Sequence, residues 1–191
     1  MGEQETGYFL NALISPRNRL VIKSIQDRFQ ELLGDSIWIA PAETLHITVG
    51  EVLTNTSDID RIFQERHSDY DAHLIEVMND LPAPHIVFDT LKTGSSTLYL
   101  TGRDQGTLMS LRSQIEDRVK RLDGTANPPN VIHTSIARYT IALDREQIEK
   151  FIATLPVLFE QTLSDLQLIR QTVAPLIEYE VIKRYRFGKA H

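Results

Sequence analysis

The sequence predicts an α+β protein made of two pseudo-symmetric lobes that face each other. The order strand–helix–strand–helix–strand occurs twice along the chain, which is typical of a duplicated supersecondary unit. Each half also contains one strand in which a histidine is followed, two positions later, by a hydroxyl residue, namely His46–Thr48 and His133–Ser135. Together these observations predict two equivalent half-sites on either side of a groove.

The size and composition of the chain fit one bilobal domain over residues 1–191, with pseudo-repeats at about 8–91 and 97–187. The formal net charge of −6 argues against broad, non-specific binding of nucleic acid, because such binding needs a basic surface. The absence of cysteine excludes disulfides, thiol nucleophiles and cysteine-ligated metals, and fits a cytoplasmic protein. Since no apolar run is long enough to span a bilayer, we expect no membrane partner.

Apolar periodicity and turn residues define the elements of the first half. An apolar run over 8–14 ends at Ser15-Pro16 and indicates a strand. Apolar residues at helical spacing over 17–33 are followed by Gly34, a common helix stop. The remaining predicted elements are strands over 37–40, 45–53 and 85–91, and a helix over 58–78 with a break near Ser68-Asp69.

The second half repeats this order. Strands are predicted over 97–101, 131–139, 163–170 and 177–187, helices over 104–122 and 144–155, and a Gly-, Pro- and Asn-rich loop over 124–130. The distance from the predicted helix start to the histidine is 29 residues in both halves, since 46 − 17 = 29 and 133 − 104 = 29. This equality supports the internal repeat.

The two histidine motifs predict phosphoester chemistry. Residues two apart on a strand share a face, so each histidine points the same way as its hydroxyl partner. Histidine titrates near neutrality, and one imidazole can accept a proton while the other donates one. The hydroxyls of Thr48 and Ser135 can bind the non-bridging phosphate oxygens between the two rings. No metal or other cofactor is needed, because the imidazoles supply both proton transfers.

From the residues alone, this pairing competes with a simpler interpretation. A histidine two positions before Ser or Thr arises by chance about once among six histidines. The strand context and the matching positions in the repeat favour a site, but two unrelated core or surface histidines remain the alternative.

The pattern resembles the 2H phosphoesterase superfamily, which includes bacterial 2′–5′ RNA ligase-like proteins and cyclic phosphodiesterases. The resemblance rests on the motif stretches 41–49 and 133–138, on the opening strand 8–14 and on the tail 166–185, and so covers nearly the whole chain. It implies two antiparallel sheets that line a central groove, with helices on the outside. After the first motif the chain carries Gly50-Glu51-Val52-Leu53, where RNA ligase-like members have an aromatic and glycine-bearing stretch.

The resemblance implies that His46 and His133 are catalytic and that Thr48 and Ser135 bind phosphate. It also implies a metal-independent phosphodiesterase, a hydrolase that acts on a 2′,3′-cyclic phosphate or a 2′–5′ linkage in a nucleotide or RNA end. Two alternatives remain: a nucleotide-binding module without turnover, and an RNA 2′–5′ ligase. We expect a monomer whose partner is the nucleotide or RNA terminus itself.

Other residues are weaker candidates for substrate binding. Arg138 follows the second motif and either contacts phosphate or is a solvated strand-end arginine. Trp38, Tyr139 and Tyr179 could stack on a base, although such aromatics more often pack in a core. Asn11 either faces the groove or bonds a neighbouring backbone group.

Overall fold

The computed structural model describes residues 3–54, 57–121, 129–174 and 176–188. The predicted loop over 124–130 therefore lies largely outside the described residues. Within them the chain forms nine strands, which in chain order are β1 (Glu3–Leu13), β2 (Ile37–Ile39), β3 (His46–Thr54), β4 (His85–Thr93), β5 (Thr97–Arg103), β6 (Ile132–Tyr139), β7 (Phe159–Thr162), β8 (Asp165–Ala174) and β9 (Glu178–Arg186). The described α-helices are α1 (Pro16–Leu33), α2 (Ile59–Asp80), α3 (Thr107–Arg121) and α4 (Arg145–Ile152).

The strands form two antiparallel sheets. The first sheet has the order β3-β1-β8-β9 and the second has the order β2-β6-β5-β4-β7. Helices α2 and α3 pack on the first sheet, while α1 and α4 pack on the second. The predicted α+β class with two antiparallel sheets and outer helices is thus confirmed.

The two lobes do not coincide with the two halves of the sequence. Strands β8 and β9, late in the chain, complete the first sheet beside β1 and β3, whereas β2 and β4 join the second sheet. The orders β3-β1-β8-β9 and β6-β5-β4-β7 correspond strand for strand, which is the pseudo-symmetry. The motif strands β3 and β6 hold equivalent places and contact each other between the sheets.

The first helix illustrates how the sequence sets its boundaries. The Ser15 side chain accepts a bond from the backbone nitrogen of Asn18, Pro16 opens the helix, and Gly34 follows it with a φ of +53°. The buried stripe repeats at helical spacing and consists of Asn18, Ile22, Ile25, Gln26 and Phe29. Two of these residues, Asn18 and Gln26, are polar, so the buried stripe also carries hydrogen-bonding groups.

Several predicted boundaries are wrong. Helix α2 is continuous through Ser68-Asp69, because Phe63, Tyr70 and Leu74 keep one uninterrupted buried stripe across that point. Helix α3 begins at Thr107 rather than at residue 104, since Asp104 precedes it and its carboxylate accepts from the nitrogens of Gly106 and Leu108. The helix-to-histidine distances are therefore 46 − 16 = 30 and 133 − 107 = 26, and their predicted equality does not hold. Strand β7 was not predicted.

Both motif strands contain a β-bulge directly after the hydroxyl residue. Val49 is the extra residue of β3, because Asn11 pairs with Thr48 and Leu10 with Gly50. Ile136 is the extra residue of β6, because Tyr99 pairs with Ser135 and Leu98 with Ala137. A bulge shifts the alternation of side chains by one residue, so a different set of residues faces the groove beyond it.

Candidate active site

The ring of His46 is oriented by the backbone just before β3. A short 3-10 turn over Ala42–Thr44 leads into the strand, and the Thr44 carbonyl oxygen lies 2.7 Å from His46 Nδ1. The residues on either side of the histidine, Leu45 and Ile47, are fully buried and anchor the strand in the core. The backbone that carries the imidazole is therefore fixed, and Nδ1 of the ring already has a hydrogen-bond partner.

His133 repeats this arrangement in the other lobe. Its Nδ1 lies 3.3 Å from the carbonyl oxygen of Val131, which is again two residues earlier in the chain. Ile132 and Ile136 are buried on the opposite side of the strand. In addition, the edge of the Tyr99 ring contacts the imidazole, with 6.0 Å between ring centroids.

A backbone carbonyl can only accept a hydrogen bond, so Nδ1 of each histidine donates. In a neutral ring this leaves Nε2 unprotonated and able to accept a proton. In a charged ring the same Nε2 carries a proton that it can donate. Each half-site therefore offers Nε2 as its reactive nitrogen, and either ring can act as acid or base.

One groove brings the four motif side chains together. His46, Thr48, His133 and Ser135 all line a cavity of about 310 Å³ between the two sheets. Five further residues on the first sheet also line it: Phe9, Asn11, Glu51, Gln171 and Ala174. The cavity is therefore large enough for part of a nucleotide and has both imidazoles on its wall.

The two rings differ in their electrostatic environment. Burial lowers the pKa of His46 to about 4, the hydrogen bond to the Thr44 carbonyl raises it in part, and the nearby His133 lowers it further. The His46 hydrogen bond is partly buried, whereas that of His133 is exposed. His46 is consequently neutral at neutral pH.

Beyond the bulges, the two motif strands place residues of opposite charge in the groove. Glu51 lies five positions after His46, and Arg138 lies five positions after His133. Strict alternation would turn both away from the histidine face, but the extra residue in each strand brings them onto it. Glu51 and Arg138 both line the cavity as pseudo-symmetric counterparts.

Two polar atoms at the groove have no hydrogen-bond partner among the described residues. These atoms are Oδ1 of Asn11 and Nε of Arg138, and both are buried. Asn11 is directly opposite Thr48 in the strand register. Because buried polar atoms are rarely left unpaired, both atoms are candidates for contact with a bound ligand.

The aromatic candidates lie outside this cavity. The hydroxyl of Tyr139 is 2.7 Å from that of Thr93, and burial raises the Tyr139 pKa. Tyr179 is on edge strand β9, opposite Gln171 in the register. Trp38 packs partly buried against the core. None of these three side chains is among the described residues that line the groove.

A second cavity adjoins the first at His133, Ser135 and Arg138. It has a volume of about 500 Å³ and is also lined by residues of the β4–β5 hairpin, namely Lys92, Gly94, Ser95, Ser96 and Thr97. Tyr99 forms part of its wall. His133, Ser135 and Arg138 therefore line both cavities, whereas His46 lines the first.

Sequence reasoning missed Arg112 on α3, which supports both motifs. Its side chain is 1% exposed, and burial lowers its pKa to about 10. Nη1 donates to the carbonyl oxygens of Pro129 at 2.8 Å and Val131 at 3.3 Å, while Nη2 donates to that of Thr48 at 2.7 Å. Arg112 therefore bonds the same Val131 carbonyl that orients His133.

Gln26 on α1 was missed in the same way. Its Nε2 donates to the carbonyl oxygens of Ala40 at 2.9 Å and Ile136 at 2.8 Å, and the residue is 1% exposed. Ile136 is the bulge residue of β6, so this amide stabilises the irregular backbone that turns Arg138 into the groove. A polar residue on an otherwise apolar helical stripe was the signal that could have identified both Gln26 and Arg112.

Among the described residues, no group of three or more His, Asp or Glu side chains is arranged to hold a metal ion. In the same part of the chain, no helix combines the length and apolarity that crossing a bilayer requires.

The two-lobed fold is shared with solved structures of low sequence identity. TT0787 of Thermus thermophilus matches with a TM-score of 0.69 at 18% identity, over 97% of this chain and 100% of that one. E. coli LigT in complex with NADP+ matches with a TM-score of 0.65 at 14% identity, over 97% and 100%. The MHV ns2 PDE domain matches with a TM-score of 0.63 at 15% identity, over 86% and 99%.

These similarities are structural rather than sequence-based. No family model matches the chain, and no curated protein matches it by sequence. At 18% identity or less, the solved structures show a shared fold.

Proposed function

We propose that the protein is a metal-independent phosphodiesterase that hydrolyses a 2′,3′-cyclic phosphate or a 2′–5′ phosphodiester at a nucleotide or RNA end. The observation that carries the proposal is the equivalent pair of imidazoles on one groove. Each ring donates from Nδ1 to the carbonyl two residues earlier, so each offers Nε2 for proton transfer. This arrangement supplies one acid and one base without a metal.

The reaction balances with these two groups. A water oxygen attacks phosphorus while its proton passes to Nε2 of one neutral histidine. The bond from phosphorus to the ribose oxygen breaks, and that oxygen takes a proton from Nε2 of the other, charged histidine. The two rings exchange protonation states, and solvent restores the starting forms.

We assign the base to His46 and the acid to His133. The lowered pKa of His46 keeps that ring neutral at neutral pH, which is the form that accepts a proton. His133 has the more exposed hydrogen bond, and a protonated ring loses less solvation there. The opposite assignment would require the more buried ring to start charged.

Thr48 and Ser135 hold the phosphate between the rings. Each hydroxyl lies two residues after its histidine on the same strand face, and both line the cavity with the imidazoles. Their hydroxyls donate to the non-bridging oxygens, on which negative charge builds during attack. Arg138 lines both cavities and provides a positive charge near the same oxygens.

The structural relatives support the substrate class. LigT has been solved with 3′-AMP, NADP+ and ATP, all of which contain a nucleoside and phosphate. The ns2 domain is described as a PDE domain. In this chain, the two cavities that adjoin at His133 provide space for groups on both sides of a phosphodiester.

The test is a hydrolysis assay in the presence of a chelator. Substrates are the 2′,3′-cyclic mononucleotides and 2′–5′-linked dinucleotides, with 3′–5′-linked dinucleotides as a matched negative set. We expect turnover of at least one of the first two classes and no dependence on added metal. Absence of turnover, or activity only with added metal, would contradict the proposal.

A further inference from the structure

The proposed site has residues of opposite charge beyond its two histidine motifs, and one of them, Glu51, takes no part in the proposed reaction. Glu51 and Arg138 occupy equivalent positions beyond the two bulges, and both line the groove. One end is therefore acidic and the other is basic, although the histidine motifs between them are nearly symmetric. This difference means that the groove can distinguish the two sides of a substrate.

The acidic end also has an aromatic wall. Phe9 lies directly opposite Glu51 in the β1–β3 register, so the two side chains are neighbours on the same face. The Phe9 ring lies over Gly7, where an added Cβ would come within 2.5 Å of Cε2. Only glycine at that position lets the ring adopt this orientation, in which it lies along the strand at the end of the groove.

The spacing along β3 suits a nucleoside. The hydroxyl of Thr48 would hold the phosphate, and the strand advances by about 7 Å from Thr48 to Glu51, because the bulge residue adds little length. A ribose spans such a distance, so the base of a bound nucleotide would reach the Glu51–Phe9 end. The aromatic ring can stack on any base, whereas a carboxylate can only accept hydrogen bonds.

We propose that Glu51 and Phe9 form a nucleobase subsite that selects guanine. This inference rests on the proposed function, because it requires the phosphate to lie between the histidines. Guanine has two adjacent donors on its Watson–Crick edge, N1–H and N2–H, which match the two oxygens of one carboxylate. Glu51 already has partners within the protein, among them Thr54 Oγ1, which donates to Oε2 at 3.1 Å, but a carboxylate has about four lone-pair sites and can also accept from the base.

The other bases fit this carboxylate less well. Adenine places the N1 acceptor beside its amino group, and that lone pair would face a carboxylate oxygen. Cytosine has the same mismatch at N3, and uracil has one donor between two carbonyl acceptors. Each of these bases loses at least one charge-assisted hydrogen bond relative to guanine and gains a repulsive contact.

The basic end of the groove fixes the orientation. A carboxylate disfavours phosphate groups near Glu51, whereas Arg138 and the exposed Lys92 line the second cavity and favour them. A substrate with further phosphates would therefore extend toward Arg138 and place its guanine near Glu51.

The experiment measures binding of the reaction products by calorimetry, with 3′-GMP, 3′-AMP and inorganic phosphate as ligands. We expect the protein to bind 3′-GMP at least about tenfold more tightly than 3′-AMP, as one extra hydrogen bond to a charged group implies. Equal affinities, a preference for 3′-AMP, or no binding of either nucleotide would overturn the inference.

Three variants assign the effect to the residues. Glu51→Gln replaces one acceptor by a donor that can bond adenine N1, so the preference should fall to about threefold or less while phosphate binding is not weakened. Phe9→Leu should weaken both nucleotides by about tenfold or more without weakening phosphate. Glu43 is an exposed carboxylate in the turn just before β3 and does not line the groove. Glu43→Gln should therefore keep the full preference. A preference that survives Glu51→Gln would overturn the assignment.

The inference and the proposed function fail in different ways. Hydrolysis of 2′,3′-cyclic nucleotides without any preference for guanine would overturn the subsite and leave the phosphodiesterase. Selective binding of 3′-GMP without hydrolysis of any cyclic or 2′–5′ substrate would overturn the phosphodiesterase and leave the subsite.

Discussion

Arg112 donates a hydrogen bond of 2.7 Å from Nη2 to the carbonyl oxygen of Thr48, so a buried guanidinium holds the first motif strand. Its Nη1 donates to the carbonyl oxygen of Val131, which also accepts a hydrogen bond from Nδ1 of His133. One side chain on α3 thus links the two half-sites through their backbones. Because Arg112 bonds backbone carbonyls at both histidine motifs, its position affects how both strands approach the groove.

Removing this guanidinium should destabilise the protein. Arg112→Met keeps much of the volume but removes a charged donor from three backbone carbonyls, and we expect a loss of about 2–4 kcal/mol in the free energy of unfolding. Denaturant titration measures this change. Arg118→Met on the same helix removes only a surface ion pair with Glu76 and should cost less than about 1 kcal/mol. Equal costs for the two variants would contradict the structural role of Arg112.

Gln26 should affect substrate binding through the bulge at Ile136. Gln26→Leu leaves the carbonyls of Ala40 and Ile136 with one donor fewer, which favours a regular β6 in which Arg138 turns out of the groove. We expect KM to rise by about tenfold with a smaller change in kcat. Gln30→Leu, an exposed change one turn later, should leave KM unchanged. A lower kcat at constant KM would argue against this explanation.

The two hydroxyl residues of β6 provide a matched pair for the phosphate contact. Ser135→Ala removes a donor from the groove, and kcat/KM should fall by about tenfold to a hundredfold. Thr134 is 0% exposed on the opposite face, and its hydroxyl has no hydrogen-bond partner among the described residues. Thr134→Val should therefore keep full activity and should not lower stability. Steady-state kinetics with thermal unfolding of both variants tests this contrast.

The pH dependence of kcat/KM should reflect a neutral His46. The pKa of this ring in the folded protein lies near 4 rather than 6.5, so the base stays unprotonated well below neutrality, and the acid limb should have an apparent pKa near 4. An acid limb at 6.5 or above would contradict the assignment of His46 as the base.

The same shift has a consequence for stability. Between 6.5 and about 4, the unfolded chain binds a proton at His46 that the folded chain does not, so stability falls as the pH decreases through this interval. His46→Ala lacks this proton uptake, and its stability should depend less on pH there. Denaturant titrations of the two proteins across the interval measure the difference, and parallel curves would contradict the lowered pKa.

The sequence predicted the direction of the four motif side chains better than it predicted which strands join which lobe. His46, Thr48, His133 and Ser135 lie on one groove because local alternation in two short strands determines which way they point. The exchange of β8 and β4 between lobes was not predictable, since antiparallel apolar strands pair equally well with several partners. Sheet order depends on long-range packing, which a local pattern does not contain.

Arg138 illustrates a second limit. Its contact with the groove depends on the bulge at Ile136, whose carbonyl accepts a hydrogen bond from Gln26, a residue 110 positions away in the chain. Strict alternation would have placed Ala137 in the groove instead. Glu51 was not recognised as a groove residue for the same reason, because a bulge at Val49 reverses its side.

The central claim is that His46 and His133 act together on one phosphorus atom, and the kinetics of three variants test it most directly. The variants His46→Ala, His133→Ala and the double mutant are assayed with the preferred substrate in chelator, after circular dichroism has shown that each is folded. We expect each single change to lower kcat/KM by about 10²–10⁴-fold, and the double change to add less than about tenfold beyond the worse single variant, because groups that act in one step are not additive. A folded single variant that retains activity within about tenfold of the unchanged protein would contradict the claim.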